Sequence, residues 1–312
     1  MSHLEAKYGD LCKPVLEDMH LRSGITTQVV VNNAKEAIFQ LLTDSSLCKD
    51  ENWLFPGGTP GEPPPKRIKR YDDIDTGTQV RKAWKKLITE APPGDIPYLL
   101  VPIIVGYDKA QTDKLGKLPL EPLLFCLGIY NQDVRKRAEA WKILGYISDQ
   151  SSGVYKDSDH KLQDYHDILE KLLKPLRDLE QESIYWEIEF EGKKYPVILK
   201  FQLLLCISDT PGHDRCCARM ESRSLKTQGI CRVCDIPTLC CDDPHYVYQY
   251  TQAFLIQELV DTKSRRDTLK AVSYKEVKNA FARLGFEFGG GLRGIHGAVP
   301  GEVLHVLQGG LL

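Results

Sequence analysis

The chain has 312 residues, of which 42% are hydrophobic and 27% charged, and its 41 Lys and Arg stand against 43 Asp and Glu for a formal net charge of -2. That length allows one substantial core with appended elements, and the balanced charge excludes a molecule that draws in nucleic acid by a global positive field, leaving only a local patch for that purpose. No apolar run approaches the roughly 20 residues of a spanning helix and the polar start MSHLEAKYGD has no signal-peptide core, so a soluble, intracellular protein is expected whose ten cysteines do not serve as lasting disulfides.

In chain order, residues 33–42 place Ala34, Ala37, Ile38, Leu41 and Leu42 at helical spacing. Residues 55–65, FPGGTPGEPPP, are dense in Pro and Gly and predict a loop or linker. It leads into the basic cluster Lys66, Arg67, Lys69 and Arg70, which reads as a solvated stretch, or as a phosphate contact or nuclear-import signal. From residue 96 three apolar segments follow, 98–107, 122–130 and 141–147, whose short polar separators predict an antiparallel meander. Residues 159–180 carry Leu162, Tyr165, Ile168, Leu169, Leu172, Leu173, Leu176 and Leu179 on one helical face, with Pro175 expected to kink or split the helix. Two strands, 184–190 and 195–208, turn at Gly192, and the second is long enough to break near Lys200. Helical patterning returns at 248–260 and 273–284, before the glycine-rich loop 289–291.

Meander, helix, then a further strand is the order of an α/β fold with a ribonuclease-H-like mixed sheet, in which the first and fourth strands lie side by side. The expected division is an N-terminal segment and linker at 1–65, a basic connecting segment at 66–95, and the main domain at 96–312. That domain carries flanking helices and a Cys-rich, zinc-binding insertion at 210–245. The apolar ending at 309–312 suggests a chain truncated at its C-terminus.

Asp108 follows the first of these strands and Asp209 the fourth. Two divalent ions about 3.5–4 Å apart, as phosphodiester chemistry requires, need three or four carboxylates because hard cations take oxygen ligands. Each acid alone also fits a turn or a strand end; their joint position at two neighbouring strand ends favours a metal site. Asp113 and Asp214, five residues after each, are reserve candidates expected at the surface.

Seven of the ten cysteines lie between Cys206 and Cys241, and the Cys231–Cys234 gap lets one turn offer two thiolates to a tetrahedral zinc. Cys240 and Cys241 are the local completion of such a site and His296 and His305 the distant one; a redox pair and plain buried thiols are the alternatives. Glu302 falls three residues before His305 on a helix starting at Pro300, as a third metal ligand or as a first-turn acid.

The segments LLVPIIVGYDKAQTD, PLLFCLGIYNQDVRKRAEAWKILGYI, LLLCISDTPGHDRCCAR with CRVC, and IHGAVPGEVLHVLQGGL resemble transposase-derived proteins of the CACTA (En/Spm) type and their Plavaka relatives, from about Trp53 to the end. The resemblance implies a DDE-type transposase domain, nuclear, acting on DNA with Mg²⁺ or Mn²⁺ and holding a structural Zn²⁺. Asp108 and Asp209 would be its first two acids, Cys231 and Cys234 its thiolate pair, and His305 a partner histidine. The third acid is Glu302 or a residue beyond Leu312. A non-catalytic, zinc-stabilised DNA-binding derivative and a nuclease or resolvase of the same fold are the rival readings, and a homo-oligomer is compatible with all three.

Overall fold

The computed structural model describes residues 14–66, 73–107, 110–111, 119–148, 155–221, 229, 231, 234–262, 266–289 and 291–299. Its centre is a mixed sheet whose main path runs, edge to edge, β1 (Val15–His20), β2 (Thr26–Val31), β6 (Lys142–Ser148), β5 (Pro119–Leu127), β3 (Tyr98–Tyr107), β8 (Lys193–Ile207) and β7 (Ile184–Phe190), with a short β4 (Ala110–Gln111) added to β5. The meander is present: β3 (Tyr98–Tyr107), β5 (Pro119–Leu127) and β6 (Lys142–Ser148) pair antiparallel in that order. On the other flank of β3 lies β8 (Lys193–Ile207), parallel to it, as the order of elements predicts for a first and a fourth strand.

The N-terminal residues extend the same sheet. β1 (Val15–His20) and β2 (Thr26–Val31) form a hairpin whose second strand meets β6, and the helix α1 (Ala34–Thr43) follows with its five patterned residues buried. The hairpin loop is clamped by Arg22, whose backbone N–H donates to Asp164 Oδ2 at 2.8 Å and whose guanidinium reaches Asp164 Oδ1 at 2.6 Å. The helix α2 (Thr78–Glu90) turns Val80, Ala83 and Trp84 inward and packs on β3 and β8. A four-residue helix, α3 (Gln132–Arg135), lies between β5 and β6.

The long helix α4 (Ser158–Gln181) runs through Pro175 without splitting. An internal proline costs roughly 3 kcal/mol, whereas each buried leucine contributes about 1.5–3 kcal/mol. Leu169, Leu172, Leu173, Leu176 and Leu179 are all buried on both sides of the proline, so packing outweighs the lost hydrogen bond.

β8 does not break near Lys200 either; it is one strand of 15 residues. Its first half pairs antiparallel with β7 (Ile184–Phe190) and its second half parallel with β3, and the two partners overlap only around Ile198 and Leu199. The β7–β8 turn is the two-residue Glu191-Gly192, both with positive φ (50° and 69°), the handedness that suits a tight hairpin. A bulge lies where Ile103 pairs with Leu203 but Ile104 with Leu205, leaving Leu204 as the extra residue. Before it the odd residues Val197, Leu199, Phe201 and Leu203 are buried; after it the even Leu204 and Cys206 are, and Ile207 is exposed. One inserted residue thus exchanges the faces of the strand just before it ends.

Beyond β8 come α5 (Thr210–Cys216), α6 (Ala253–Asp261), α7 (Arg266–Ala271), α8 (Ala280–Arg283) and α9 (Ile295–Ala298). The expected helix over 273–284 is confined to α8. Ser273 takes a left-handed φ of 62°, and α4 ties down the non-helical residues that follow, Gln163 accepting from Lys278 N (2.7 Å) and donating to Lys278 O (3.2 Å). Among the described residues no helix is long and apolar enough to cross a membrane.

Candidate functional site: the acid end of two parallel strands

β3 and β8 run side by side and reach the same level, their last paired residues being Gly106 and Ile207. Two residues beyond, Asp209 is the N-cap of α5, extended at φ -65°, ψ 170°. Its Oδ1 accepts from Gly212 N at 2.7 Å and from Ser208 Oγ at 3.3 Å; its Oδ2 makes no hydrogen bond among the described residues. Asp209 is half-buried, so this second oxygen belongs to an accessible strand end. Gly212 is required by the cap: a Cβ there would lie 2.0 Å from Ser208 Oγ and 2.8 Å from Asp209 Oδ1. Ser208 N donates to His213 Nε2 at 2.9 Å, which closes the turn from the other side.

Asp108 directly follows Tyr107, and it lies outside the described residues, as do Asp113, Glu302, His305 and, of the basic cluster, Arg67, Lys69 and Arg70. Tyr107 itself is buried and donates from its hydroxyl to Gly212 O at 3.4 Å, tying the end of β3 to the helix that Asp209 caps. Lys66 is exposed and its carbonyl accepts from Arg81 at 3.0 Å.

Asp214, expected at the surface, is fully buried. The reason is that α5 packs inward along its length: Gly212, His213, Asp214 and Cys216 are all buried, and the chain continues into the core through Cys217 and Ala218. The sequence reading also missed Glu121 on β5. Its buried carboxylate accepts from Tyr165 Oη at 2.7 Å and pairs with Arg215 at 3.2 Å, while Arg215 lies 5.8 Å from the centre of the Tyr165 ring. The available signal was the break it makes in β5's apolar pattern, since an acid in a central strand needs a buried partner.

Cys231 and Cys234 come together in a cavity of about 270 Å³ bounded by Tyr250, Leu255 and Tyr274. Burial, then the hydrogen bond with the Cys231 thiol, pushes the Cys234 thiol up to about 11. His296 lines a separate small cavity with Phe281 and Phe288. It is buried, which lowers its pKa to about 3, and its Nδ1 accepts from Tyr274 Oη at 3.4 Å. Tyr274 and Arg219 stand at the boundary: the guanidinium sits 5.3 Å over the Tyr274 ring and donates to the carbonyls of Cys231 and, at 2.5 Å, Gly229. Cys240 is half-buried and Cys241 exposed. Among the described residues no group of three or more His, Cys, Asp or Glu side chains converges as a metal site.

Fold and site together define a mixed α/β chain in which one acid-capped helix starts where two parallel central strands end. The sequence matches the Plavaka transposase family over residues 20–310, nearly its whole length, and the chain belongs to that family. No curated protein matches it.

Proposed function

We propose that the chain is a DDE-type DNA transposase domain of ribonuclease-H-like fold, in which Asp108, Asp209 and Glu302 hold two Mg²⁺ or Mn²⁺ ions against a DNA phosphodiester. The observation that carries this reading is the level, parallel ending of β3 and β8 with an acid after each. The donor set fits hard divalent cations: Asp209 offers a carboxylate oxygen that has no hydrogen bond among the described residues, while the other is held by Gly212 N. When bound, such ions activate the attacking water or 3′-hydroxyl and stabilise the leaving oxygen. The chain's own part is to hold the acid still. Gly212 N and Ser208 Oγ fix Oδ1, and the inward packing of α5 fixes the backbone that carries it.

We further propose that Cys231 and Cys234 hold a structural Zn²⁺, with His305 and not the buried His296 as the histidine partner. The two thiols are already within hydrogen-bond reach of one another, and a bound cation would stabilise the thiolate form that burial disfavours at Cys234. DNA is the partner in this reading, and the nucleus the place of action. The basic residues from Lys66 to Arg70 are then contacts to phosphate.

Asp209→Asn tests the catalytic assignment cleanly because Asn caps a helix about as well as Asp. Nicking of supercoiled plasmid in Mn²⁺ should fall by on the order of a hundredfold or more, the scale on which one electrostatic group is felt. DNA affinity and melting temperature should stay near wild type. Nicking that survives the substitution would remove Asp209 from the site.

A further inference from the structure

We infer that the buried Glu121–Arg215 ion pair is a positioning device for Asp209: it holds α5 in the one register that presents the Asp209 carboxylate at the strand ends. This rests on the metal-site reading of Asp209 given above.

The pair is costly where it stands. Both side chains are nearly buried, at 6% and 12% exposure, and their atoms are 3.2 Å apart. Desolvating two charges usually offsets their attraction, and well-packed apolar residues of similar volume hold a fold as well or better. Stability alone therefore gives no reason for an acid in the middle of the sheet and a guanidinium on the helix above it.

Placement gives one. Asp209 caps α5 and Arg215 is six residues further on, in its last turn. Four groups grip this helix from four elements. Tyr107 of β3 reaches Gly212 O (3.4 Å), His166 of α4 reaches Arg215 O (3.0 Å), Asn279 before α8 reaches Cys216 O (2.7 Å), and Glu121 of β5 reaches the Arg215 side chain. Three of these bond main-chain carbonyls; Glu121–Arg215, like the bond from Ser208 N to His213 Nε2, is made by a side chain of the helix, the kind of contact that resists rotation about its axis. Tyr165 makes the grip directional, because its hydroxyl holds one Glu121 oxygen at 2.7 Å and leaves the other to Arg215. A rotation of α5 about its axis carries Asp209 with it, and metal ligands tolerate displacements of only about 0.5 Å.

The test is Mn²⁺ affinity of the full chain, read from the electron-paramagnetic signal of the free ion, with thermal melting alongside. Asp209→Asn serves as the reference for loss of a direct ligand. Groups that orient a metal ligand typically cost about 10–100-fold in affinity when removed, so Arg215→Gln should weaken Mn²⁺ binding by about tenfold or more. Arg215→Lys, which keeps the charge facing Glu121, should recover most of it. A lower melting temperature with unchanged Mn²⁺ affinity in Arg215→Gln makes the pair merely structural and overturns the inference. Unchanged affinity in Asp209→Asn overturns the metal-site reading itself, a separate result. Should Arg215→Gln not fold, Tyr165→Phe keeps the ring and the ion pair and removes only the orienting hydroxyl. Weakened Mn²⁺ binding there supports the inference, and wild-type binding overturns it.

Discussion

At the residue scale, the two oxygens of Asp209 differ, one closing the first turn of α5 and the other without a hydrogen bond among the described residues. The difference depends on Gly212, whose amide is 2.7 Å from Oδ1 and whose missing side chain leaves room for that oxygen and for Ser208 Oγ. Inside a helix Gly→Ala is worth roughly 1 kcal/mol in favour of alanine. At position 212 that gain is offset by a Cβ that would lie 2.0 Å from Ser208 Oγ and 2.8 Å from Asp209 Oδ1, so both side chains must turn away and the cap is lost. Gly212→Ala should therefore leave the melting temperature within a few degrees of wild type while lowering Mn²⁺-dependent nicking several-fold. An alanine variant of full activity would show that the Asp209 rotamer is not what matters.

At the element scale, α4 is the spine to which the later elements are tied, and His166 is one of its knots. Its ring is fully buried, donates from Nε2 to Arg215 O at 3.0 Å and accepts on Nδ1 from Ala280 N at 3.2 Å, a neutral imidazole linking α4, α5 and α8. Burial, aided by Arg283, lowers its pKa from 6.5 to about 4. The unfolded chain then binds the proton more tightly than the folded one, so this group's stabilisation is complete above pH 6.5 and is lost as pH falls from 6.5 to about 4. Two and a half units correspond to about 3 kcal/mol. His296, lowered to about 3, acts in the same direction. Melting temperature should fall across that window, before the paired carboxylates such as Asp167 protonate below it. In His166→Asn the protein should be less stable at neutral pH and its stability flatter between pH 6.5 and 4; an unchanged slope would place the acid sensitivity elsewhere.

At the scale of the whole molecule, the two hydrophobic clusters are very unequal. The sheet, α1, α2 and α4 share one extended core, whereas beside α6 and α7 the second cluster holds, among the described residues, Val260, Leu269 and Tyr274, with Ile256 and Leu259 against them. So small a cluster supplies little apolar burial to the described residues around it. Arg219 offsets part of this through the carbonyls of Cys231 and Gly229, and a zinc ion on Cys231 and Cys234 would offset much more. Purified protein should contain about one zinc per chain, and a chelator should abolish the near-ultraviolet signal of the tyrosines in this region while far-ultraviolet strand content persists. Zinc retained in full by the Cys231→Ser, Cys234→Ser double variant would refute the assignment.

Periodicity alone determined the meander, the long helix and the strand that follows it, because each buries one face and the spacing of apolar residues records which. The same local signals misled wherever a distant partner decided. Pro175 did not break α4 because leucines on both sides of it are buried, and Lys200 did not break β8 because β7 and β3 take over from one another along it. β1 and β2, half-exposed at the sheet's margin, left too weak an alternation to be read. The place of Asp209 just past a strand end and the closeness of Cys231 and Cys234 were legible from the apolar run and the cysteine spacing. Glu121, Arg215 and Asp214 were not: a buried charge has no local signature, since what makes it tolerable is a partner elsewhere in the chain, and Glu121 and Arg215 are brought together only when β5 and α5 pack.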